Sequence, residues 1–261
     1  MLLVDSHCHL NFPDFKDDLE AVITRAREAG VGVMQTICTE MEEFEEVAAI
    51  AQGHEGIYCS VGVHPNESQQ KAKAELAALL ERVGHPKVIG IGETGLDYHY
   101  AHSTHDVQRE SFRVHIAAAR ASGLPLIVHT REAEEDTVDI LAEEMGKGAF
   151  KGVIHCFTSS KYLADKSVEM GFYVSLSGIL SFKSAQDIRD TVKTIPLNRL
   201  LIETDAPYLA PIPYRGKRNE PSYVKYTNKI LADIKGISEE ECAAATTDNF
   251  FRLFDKAKPP C

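Results

Sequence analysis

Six residues spread along the chain carry side chains that commonly bind metal ions, and each ends or closely follows a short apolar run. They are His7, His9, Glu93, His129, His155 and Asp205. Imidazole and carboxylate are the groups that divalent metals most often take from proteins in catalytic sites. Because strand side chains alternate between two faces, the two histidines around Cys8 point the same way. The set predicts one metal centre assembled from distant parts of the sequence.

Four imidazoles and two carboxylates exceed the needs of one catalytic ion, which takes about three protein ligands and keeps an open position. They suit two divalent ions about 3.5–4 Å apart, with Glu93 as the bridging carboxylate, although one ion remains an alternative. Magnesium prefers oxygen ligands, whereas four histidines suit zinc, manganese or iron better. The identity of the ion stays open among Mg²⁺, Mn²⁺ and Zn²⁺. Two such ions would make the pocket positive and favour phosphate-bearing substrates.

The same alternation predicts which way the neighbours of these residues face. Cys8 and Cys156 are predicted to face the helix layer as buried packing residues, not as ligands or nucleophiles. Glu203 has the same parity as Asp205 and is expected one layer below it. There it either supports a metal ligand or serves as a buried structural carboxylate.

Eight short apolar runs alternate with amphipathic helix patterns, most of which stop at a glycine, as in proteins with a parallel sheet. The predicted strands cover residues 2–5, 32–37, 57–63, 88–91, 125–129, 152–155, 172–176 and 200–203. A long helix is predicted over residues 103–122, and a last one over residues 238–255.

Eight strands in about 250 residues predict an α/β fold, a (β/α)₈ TIM barrel in one domain over residues 1–261. The last helix exceeds the eight repeating units, so we expect it to pack on the outside. A barrel places catalytic residues at the C-terminal ends of its strands. The alternative is a doubly wound open sheet, which would not readily bring residues from strands 1, 4, 5, 6 and 8 to one point.

Composition narrows the class of protein. The 261 residues are 44% hydrophobic and 26% charged, which is ordinary for a globular chain. A net charge of −11 argues against a nucleic-acid coat protein, but bound cations can reverse the local field of an enzyme. Apolar runs are too short to span a bilayer, and the N-terminus lacks the basic segment of a signal peptide. The six cysteines form no framework, so we expect a cytoplasmic protein with reduced thiols, no membrane partner and a plausible monomeric state.

Seven stretches in order along the chain carry a family resemblance. They are residues 5–10 (DSHCHL), 62–65 (GVHP), 92–98 (GETGLDY), 125–131 (PLIVHTR), 152–157 (GVIHCF), 203–209 (ETDAPYL) and 247–250 (TDNF). Together they resemble the TatD family of metal-dependent deoxyribonucleases. The resemblance implies a TIM barrel related to the amidohydrolases, with a mono- or dinuclear site whose ligands match the same six residues. Asn11 and His99 depart from the family pattern in the first and fourth loops.

The resemblance also implies an activity, which is magnesium-dependent nuclease action, often in the 3′ to 5′ direction. We therefore predict hydrolysis of DNA phosphodiester bonds, with RNA as a further candidate substrate. Asp205 is predicted to be the general base, and His64 matches a family position near the substrate phosphate. Arg131 is a second phosphate candidate. Arg215 lies in the basic stretch 213–218, which would either grip a nucleic-acid backbone or form a solvated loop.

Two other functions stay open at this point. An amidohydrolase would cleave a C–N or ester bond on the same metal site, because a fold does not determine function. A non-catalytic barrel would keep the metal as a structural clip and bind nucleic acid. His99, His102 and His105 could form a further metal cluster, but a solvated loop is the favoured interpretation. His115 lies mid-helix and is interpreted as a packing or surface residue.

Overall fold

Eight parallel strands form one sheet whose spatial order is the chain order. The structure is a computed structural model that describes residues 1–68, 75–100 and 102–260. Its strands are β1 (Leu3–Cys8), β2 (Val31–Thr36), β3 (Ile57–Val61), β4 (Val88–Asp97), β5 (Leu126–Arg131), β6 (Gly152–Ile154), β7 (Tyr173–Leu176) and β8 (Leu200–Ile202). All eight coincide with predicted strands, but β4 continues six residues beyond its predicted end.

Helices cover the outer face of this sheet. In the described part of the chain they are α1 (Leu19–Glu28), α2 (Phe44–Gly53), α3 (Leu76–Val83), α4 (His105–Ser122), α5 (Glu134–Lys147), α6 (Lys161–Glu169), α7 (Gln186–Thr194), α8 (Val224–Lys235) and α9 (Glu239–Leu253). The apolar stripe of α1, Val22, Ile23 and Ala26, is buried against the sheet as its period predicts. Among the described residues, no helix is both long and apolar enough to cross a bilayer.

The sheet closes into a barrel between β1 and β8. Cys8 and Ala206 form an isolated parallel bridge. The backbone N of His9 donates to the carbonyl of Ala206 at 2.8 Å, and the N of Asp205 donates to the carbonyl of His7 at 2.9 Å. The TIM barrel prediction is confirmed and the open-sheet alternative is wrong, because strand order is sequential and the two edge strands meet.

The predicted position of the last helix is wrong. Instead of packing only on the outer wall, α9 covers the N-terminal end of the barrel. Phe250 and Phe254 form one buried cluster with inward-facing residues of seven strands: Val4, Val33, Ile89, Ile127, Val153, Tyr173 and Leu201. Gly90 makes room for this plug, since a Cβ there would lie 3.2 Å from Cε1 of Phe254. The sequence predicted which face of the helix is apolar, but it did not predict which surface that face covers.

Candidate metal centre

The six predicted residues converge at the C-terminal end of the barrel. Three lie on β1, β4 and β5, and the other three follow β1, β6 and β8 within a few residues. Together with His64 they form three groups in which the potential ligand atoms lie within 4.8 Å of one another. The groups are His7–Glu93–His155, His7–His9–Asp205 and His64–Glu93–His129. The overlap of these groups makes one cluster rather than several separate sites.

Glu93 lies in the middle of this cluster and is almost fully buried. Its Oε1 is 2.7 Å from Nε2 of His155 and 2.9 Å from Nδ1 of His129. Its Oε2 is 3.2 Å from Nε2 of His7 and 4.0 Å from Nε2 of His9. Each carboxylate oxygen therefore faces a different pair of histidines, which is the arrangement of a carboxylate able to bridge two cations.

Two glycines let β4 deliver Glu93 to this point. The register of β4 against β5 shifts along this stretch. Gly92 and Gly95 have φ of +139° and +137°, which side chains rarely tolerate. A Cβ on Gly95 would lie 2.0 Å from the backbone oxygen of His129. Glycine is thus required for the close approach of the two strands that brings Glu93 against His129.

Asp205 completes the cluster from the β8 side, where the barrel closes. Its Oδ1 is 3.6 Å from Nε2 of His7 and 3.5 Å from Nε2 of His9. Beneath it, the buried carboxylate of Asp5 accepts hydrogen bonds from the backbone N and the hydroxyl of Thr204, at 2.9 and 2.5 Å. These bonds tie β1 to the segment after β8, so the positions of His7 and Asp205 are set together.

The donor set fits one or two divalent cations. Nε2 of His7 is buried inside the cluster and makes no hydrogen bond to any residue that the structure describes. A buried ring nitrogen without a partner is costly, and a cation would use its lone pair. The nitrogen-rich set suits zinc or manganese better than magnesium. The geometry therefore shows a cluster able to hold metal without fixing which metal it holds.

Charges inside the cluster shift the pKa values of Glu93 and His155 in the direction opposite to the effect of burial. Burial alone would raise the pKa of Glu93, but the surrounding histidines, His155 first, hold it well below its usual range. Burial would lower the pKa of His155, yet the charges of Glu93 and Glu203 raise it well above its usual range. Burial and the nearby His155 lower the pKa of His7. Protons and cations compete for the same nitrogens, so acid conditions oppose cation binding.

Two further carboxylates lie behind the histidines of β5 and β6. Glu203, fully buried as expected below Asp205, has its Oε1 3.4 Å from Nδ1 of His155. Asp97 was not identified in the sequence analysis, although its Oδ2 lies 3.1 Å from Nε2 of His129. It lies in the stretch 92–98 that carries part of the family resemblance, but the premature end predicted for β4 concealed its place in the site.

His64 follows β3 and presents a proton to the cluster. Its Nε2 lies 3.5 Å from Oε1 of Glu93, and its Nδ1 accepts a hydrogen bond from the backbone N of Asn66 at 3.1 Å. Burial lowers the pKa of His64 to about 3, so the ring is neutral. A neutral ring that accepts at Nδ1 carries its proton on Nε2. His64 is therefore a hydrogen-bond donor here, although its distance alone would suit a metal ligand.

Comparison with known proteins agrees with this centre. The sequence matches the family described as TatD related DNase over residues 4–255. The chain belongs to this family. It is 44% identical over 253 residues to the uncharacterized metal-dependent hydrolase YabD of Bacillus subtilis (strain 168), and the match covers 97% of this chain and 99% of that protein. It is 42% identical over 258 residues to the uncharacterized metal-dependent hydrolase YcfH of Escherichia coli (strain K12), with 97% and 96% covered.

A solved structure supports the same assignment. YJJV, a TatD homolog from Escherichia coli K12, has a TM-score of 0.88 at 28% identity, with 97% of this chain and 98% of that chain covered. The TatD-family chain is therefore a metal-dependent hydrolase, and the predicted family and fold are confirmed.

A cavity of about 740 Å³ opens above the cluster of this TatD-family protein. Phe12, Tyr208 and Leu209 are among the residues with large apolar groups that line it, and Tyr100 and Arg131 are among those with polar groups. The guanidinium of Arg131 sits 4.9 Å from the ring centroid of Tyr100. Arg131 therefore reaches the cavity, where a phosphate could meet it.

Arg215 lies outside the lining of this cavity. Its guanidinium is 4.5 Å from the ring centroid of Phe182. In the same basic stretch, Arg218 is held by Asp18 at 2.8 Å. Only a substrate that extends beyond the cavity mouth could contact Arg215, and Arg218 is largely engaged within the protein.

The two cysteines next to histidines of the cluster differ in their surroundings. Cys8 lies in the hydrophobic core, as predicted, and its Sγ donates to the carbonyl of Gln35 at 3.5 Å. The predicted orientation of Cys156 toward the helix layer is wrong, because this residue lines the cavity. Its φ of 43° breaks the strand alternation on which the prediction depended. Burial raises the pKa of the Cys156 thiol well above its usual range, so it is not a ready nucleophile. The five described cysteines are free, and Cys261 lies outside the described residues.

The three histidines after β4 do not gather around one point. Nδ1 of His99 lies 2.6 Å from Oε1 of Glu132. The ring of His105 stacks on Tyr98 at 3.7 Å, and His102 lines the cavity wall. Within the described chain, no group of potential metal ligands includes any of the three. His99 and His102 lie in the loop as interpreted, whereas His105 is the first residue of α4.

Proposed function

We propose that this chain hydrolyses phosphodiester bonds of DNA, and of RNA as a second substrate, by removing nucleotides from a 3′ end. Residues 1–261 would act as one hydrolase domain. The observation that carries the proposal is Glu93, whose two oxygens face two pairs of histidines at the floor of an open cavity. The TatD related DNase match supports the choice of nucleic acid over other anionic substrates.

We assign the six residues to two cation positions. His7, His9 and Asp205 would hold one position, His129 and His155 the other, and Glu93 would belong to both. Two divalent cations supply Lewis acidity that lowers the pKa of a water and stabilises charge on phosphate oxygens. The acidic chain would then present a positive cavity floor to an anionic substrate.

Asp205 would take the proton of the attacking water. Its carboxylate lines the cavity. Burial would raise the pKa of Asp205, but the hydrogen bond from His9 and the neighbouring histidines lower it. The group is therefore ionised at neutral pH and can act as a base. Glu203 would hold the ring of His155 in place from behind.

Two donors would orient the phosphate. His64 carries its proton on Nε2, which faces Glu93 and the cavity. Nε2 can therefore donate a hydrogen bond to a phosphate oxygen, but it cannot accept a proton from the substrate. Arg131 offers a charged donor from the polar wall. Arg215 would contact only longer substrates, because it lies beyond the lining.

End-labelled oligonucleotides test the proposal. We expect the purified protein, loaded with Mn²⁺ or Mg²⁺, to shorten a 5′-labelled DNA strand in single-nucleotide steps. A strand blocked by a 3′-terminal phosphorothioate linkage should resist, and an RNA strand of the same sequence should be cut as well. Turnover of amide or lactone substrates without cleavage of oligonucleotides would identify the amidohydrolase alternative instead. Tight oligonucleotide binding without turnover under any of these metals would identify the non-catalytic one.

A further inference from the structure

The four histidines of the cluster differ in what lies behind them. For His129 and His155, the ring nitrogen that points away from Glu93 faces a carboxylate, at 3.1 Å for Asp97 and 3.4 Å for Glu203. Nδ1 of His155 is buried without a hydrogen bond, as are Nδ1 of His7 and of His9 among the described residues. His155 differs from the other two in the nearby charge of Glu203, since the described residues show no ion pair at Nδ1 of His7 or His9. The two cation positions therefore have unequal support.

Among the described residues, each hydrogen-bond partner of the Asp97 carboxylate is a donor. Its Oδ2 faces Nε2 of His129 at 3.1 Å and Nδ2 of Asn66 at 3.4 Å. Its Oδ1 accepts from the backbone N of His99 at 3.0 Å and of Tyr100 at 3.1 Å. The carboxylate is 1% exposed. This pocket accepts a group that has acceptors on both sides, which an ionised carboxylate provides and an amide does not.

The backbone of Asp97 is fixed as firmly as its side chain. Gln108, fully buried on α4, accepts from the backbone N of Asp97 at 2.7 Å and donates to its carbonyl at 2.9 Å. The same amide also donates to the carbonyl of Ser103 at 3.2 Å. A buried glutamine that matches both backbone groups holds the end of β4 in one position.

This arrangement determines which ring nitrogen of His129 keeps a proton. Because Asp97 can only accept, Nε2 of His129 carries a proton, and Nδ1 is the nitrogen left to bind a cation. Nδ1 lies 2.9 Å from Oε1 of Glu93 and 3.2 Å from Nε2 of His155. Without a cation, Nδ1 can hold a proton against Glu93. When a cation replaces that proton, the proton on Nε2 stays with Asp97 and the lone pair of Nδ1 faces the cluster.

We propose that Asp97 is a positioning residue that fixes His129 as an Nδ1 ligand and, together with Glu203, makes the His129–His155 position the tighter of the two cation positions. A carboxylate behind a ligating imidazole orients the ring and raises its basicity. His129 has this support through its hydrogen bond to Asp97, and His155 has it through the charge of Glu203. Neither histidine of the His7–His9 position has such a carboxylate among the described residues. The first divalent ion therefore binds between His129, His155 and Glu93. The inference rests on the proposed function only in placing cations at this cluster.

Asp97→Asn tests the inference by metal binding rather than by hydrolysis. An amide in this pocket must turn its NH₂ either toward His129 and Asn66 or toward two backbone N–H groups. We expect the first Mn²⁺ to bind about 10- to 100-fold more weakly, with the second ion changed less than about threefold. In long-range ¹H–¹⁵N spectra of the Zn²⁺-loaded protein, wild type should show His129 protonated at Nε2 and not at Nδ1, and Asp97→Asn should lose this pattern. Calorimetric titration with Mn²⁺ alone supplies the affinities.

Matched variants separate positioning from a general loss of charge. Asp136→Asn removes a carboxylate that pairs with Tyr98 and Arg109 outside the cluster, and it should leave both affinities unchanged. Glu203→Gln should weaken the first ion, as Asp97→Asn does. If Asp97→Asn does not fold, Gln108→Met keeps the carboxylate and frees its backbone, and it should weaken the first ion to a smaller extent.

Three results would overturn the inference. They are an unchanged first affinity in folded Asp97→Asn, an equal loss at both positions, and a first ion that is lost in His9→Ala but retained in His155→Ala. A protein that shows the expected binding order but cleaves no nucleic acid would remove the proposed function and leave this inference intact.

Discussion

The barrel ends differ in chemistry although the same strands form both. At the C-terminal end, imidazoles and carboxylates surround Glu93 beneath a cavity, and a ring nitrogen of His7 remains without a hydrogen-bond partner among the described residues. At the N-terminal end, Phe250 and Phe254 of α9 fill the opening with apolar contacts. The comparison indicates that chemistry and stability are largely assigned to opposite ends. Substitutions at each end should therefore have separable effects.

The largest effect is expected at Asp205. Asp205→Asn removes both the base and a cation ligand, so we expect the rate of phosphodiester hydrolysis to fall by roughly 10²–10⁴-fold or more. The midpoint of urea unfolding in metal-free protein should change little, because the side chain lies at the cavity wall. Initial rates on a labelled oligonucleotide measure the first quantity. Asp165→Asn, at an exposed ion pair on α6, is the control. Wild-type rates in Asp205→Asn would refute both roles.

The opposite end should respond in the opposite way. Phe254→Ala empties part of the plug, and we expect a loss of about 3–5 kcal/mol in the free energy of unfolding. Mn²⁺ affinity and hydrolysis should stay near wild type at temperatures where the variant is folded. Urea denaturation and calorimetry measure these quantities, with exposed Tyr162→Ala as the control. A folded Phe254→Ala variant with hydrolysis reduced more than tenfold would show that the ends are coupled.

Stability should fall in acid because of His115, which is a packing residue. It is fully buried on α4, and its Nε2 accepts from the backbone N of Val63 at 3.0 Å. Burial lowers the pKa of His115 from 6.5 to about 4. The neutral ring is favoured in the folded state, so its contribution is complete above pH 6.5 and is lost as the pH falls toward 4.

The loss due to His115 should be on the order of 3 kcal/mol. Urea unfolding of metal-free wild type and His115→Gln, compared at pH 7.5 and at pH 4.5, isolates this contribution from that of the cluster histidines. The variant should show the smaller decrease. Parallel decreases in the two proteins would show that His115 does not cause the acid effect.

The smallest effects are expected at the cavity rim. Arg131→Ala should raise KM about tenfold for short and long oligonucleotides, because a charged hydrogen bond to phosphate contributes about 1.5–3 kcal/mol. Arg215→Ala should raise KM about twofold to threefold for long strands only, since that side chain lies outside the lining. Steady-state kinetics on dinucleotides and 20-mers decide between them. An Arg215→Ala effect on dinucleotides would contradict the placement.

The histidines of the cluster could be identified in the sequence because each ends or closely follows an apolar run. The alternation of side chains along β1 also predicted correctly that His7 and His9 share one face and that Cys8 lies on the other. Asp97 was missed because Gly92 and Gly95 let β4 continue through a register shift that periodicity does not encode.

The predictions for Cys156 and for the last helix failed because a local sequence pattern does not determine them. Cys156 enters the left-handed region, with φ of 43°, directly after β6, and alternation no longer applies there. An amphipathic helix such as α9 has the same pattern whether it covers a wall or an open end. Local sequence therefore specifies which face is apolar, whereas the closed barrel determines what that face meets.

The central claim is that Glu93 joins two cation positions that act together in hydrolysis. Bound Mn²⁺ per chain and cleavage of a DNA oligonucleotide should be measured on the same samples as metal is added to metal-free protein. We expect two ions per chain, with cleavage rising as the second ion binds, and at most one ion with little cleavage in Glu93→Gln. Full cleavage with a single bound ion, or cleavage that persists in a chelator, would contradict the account.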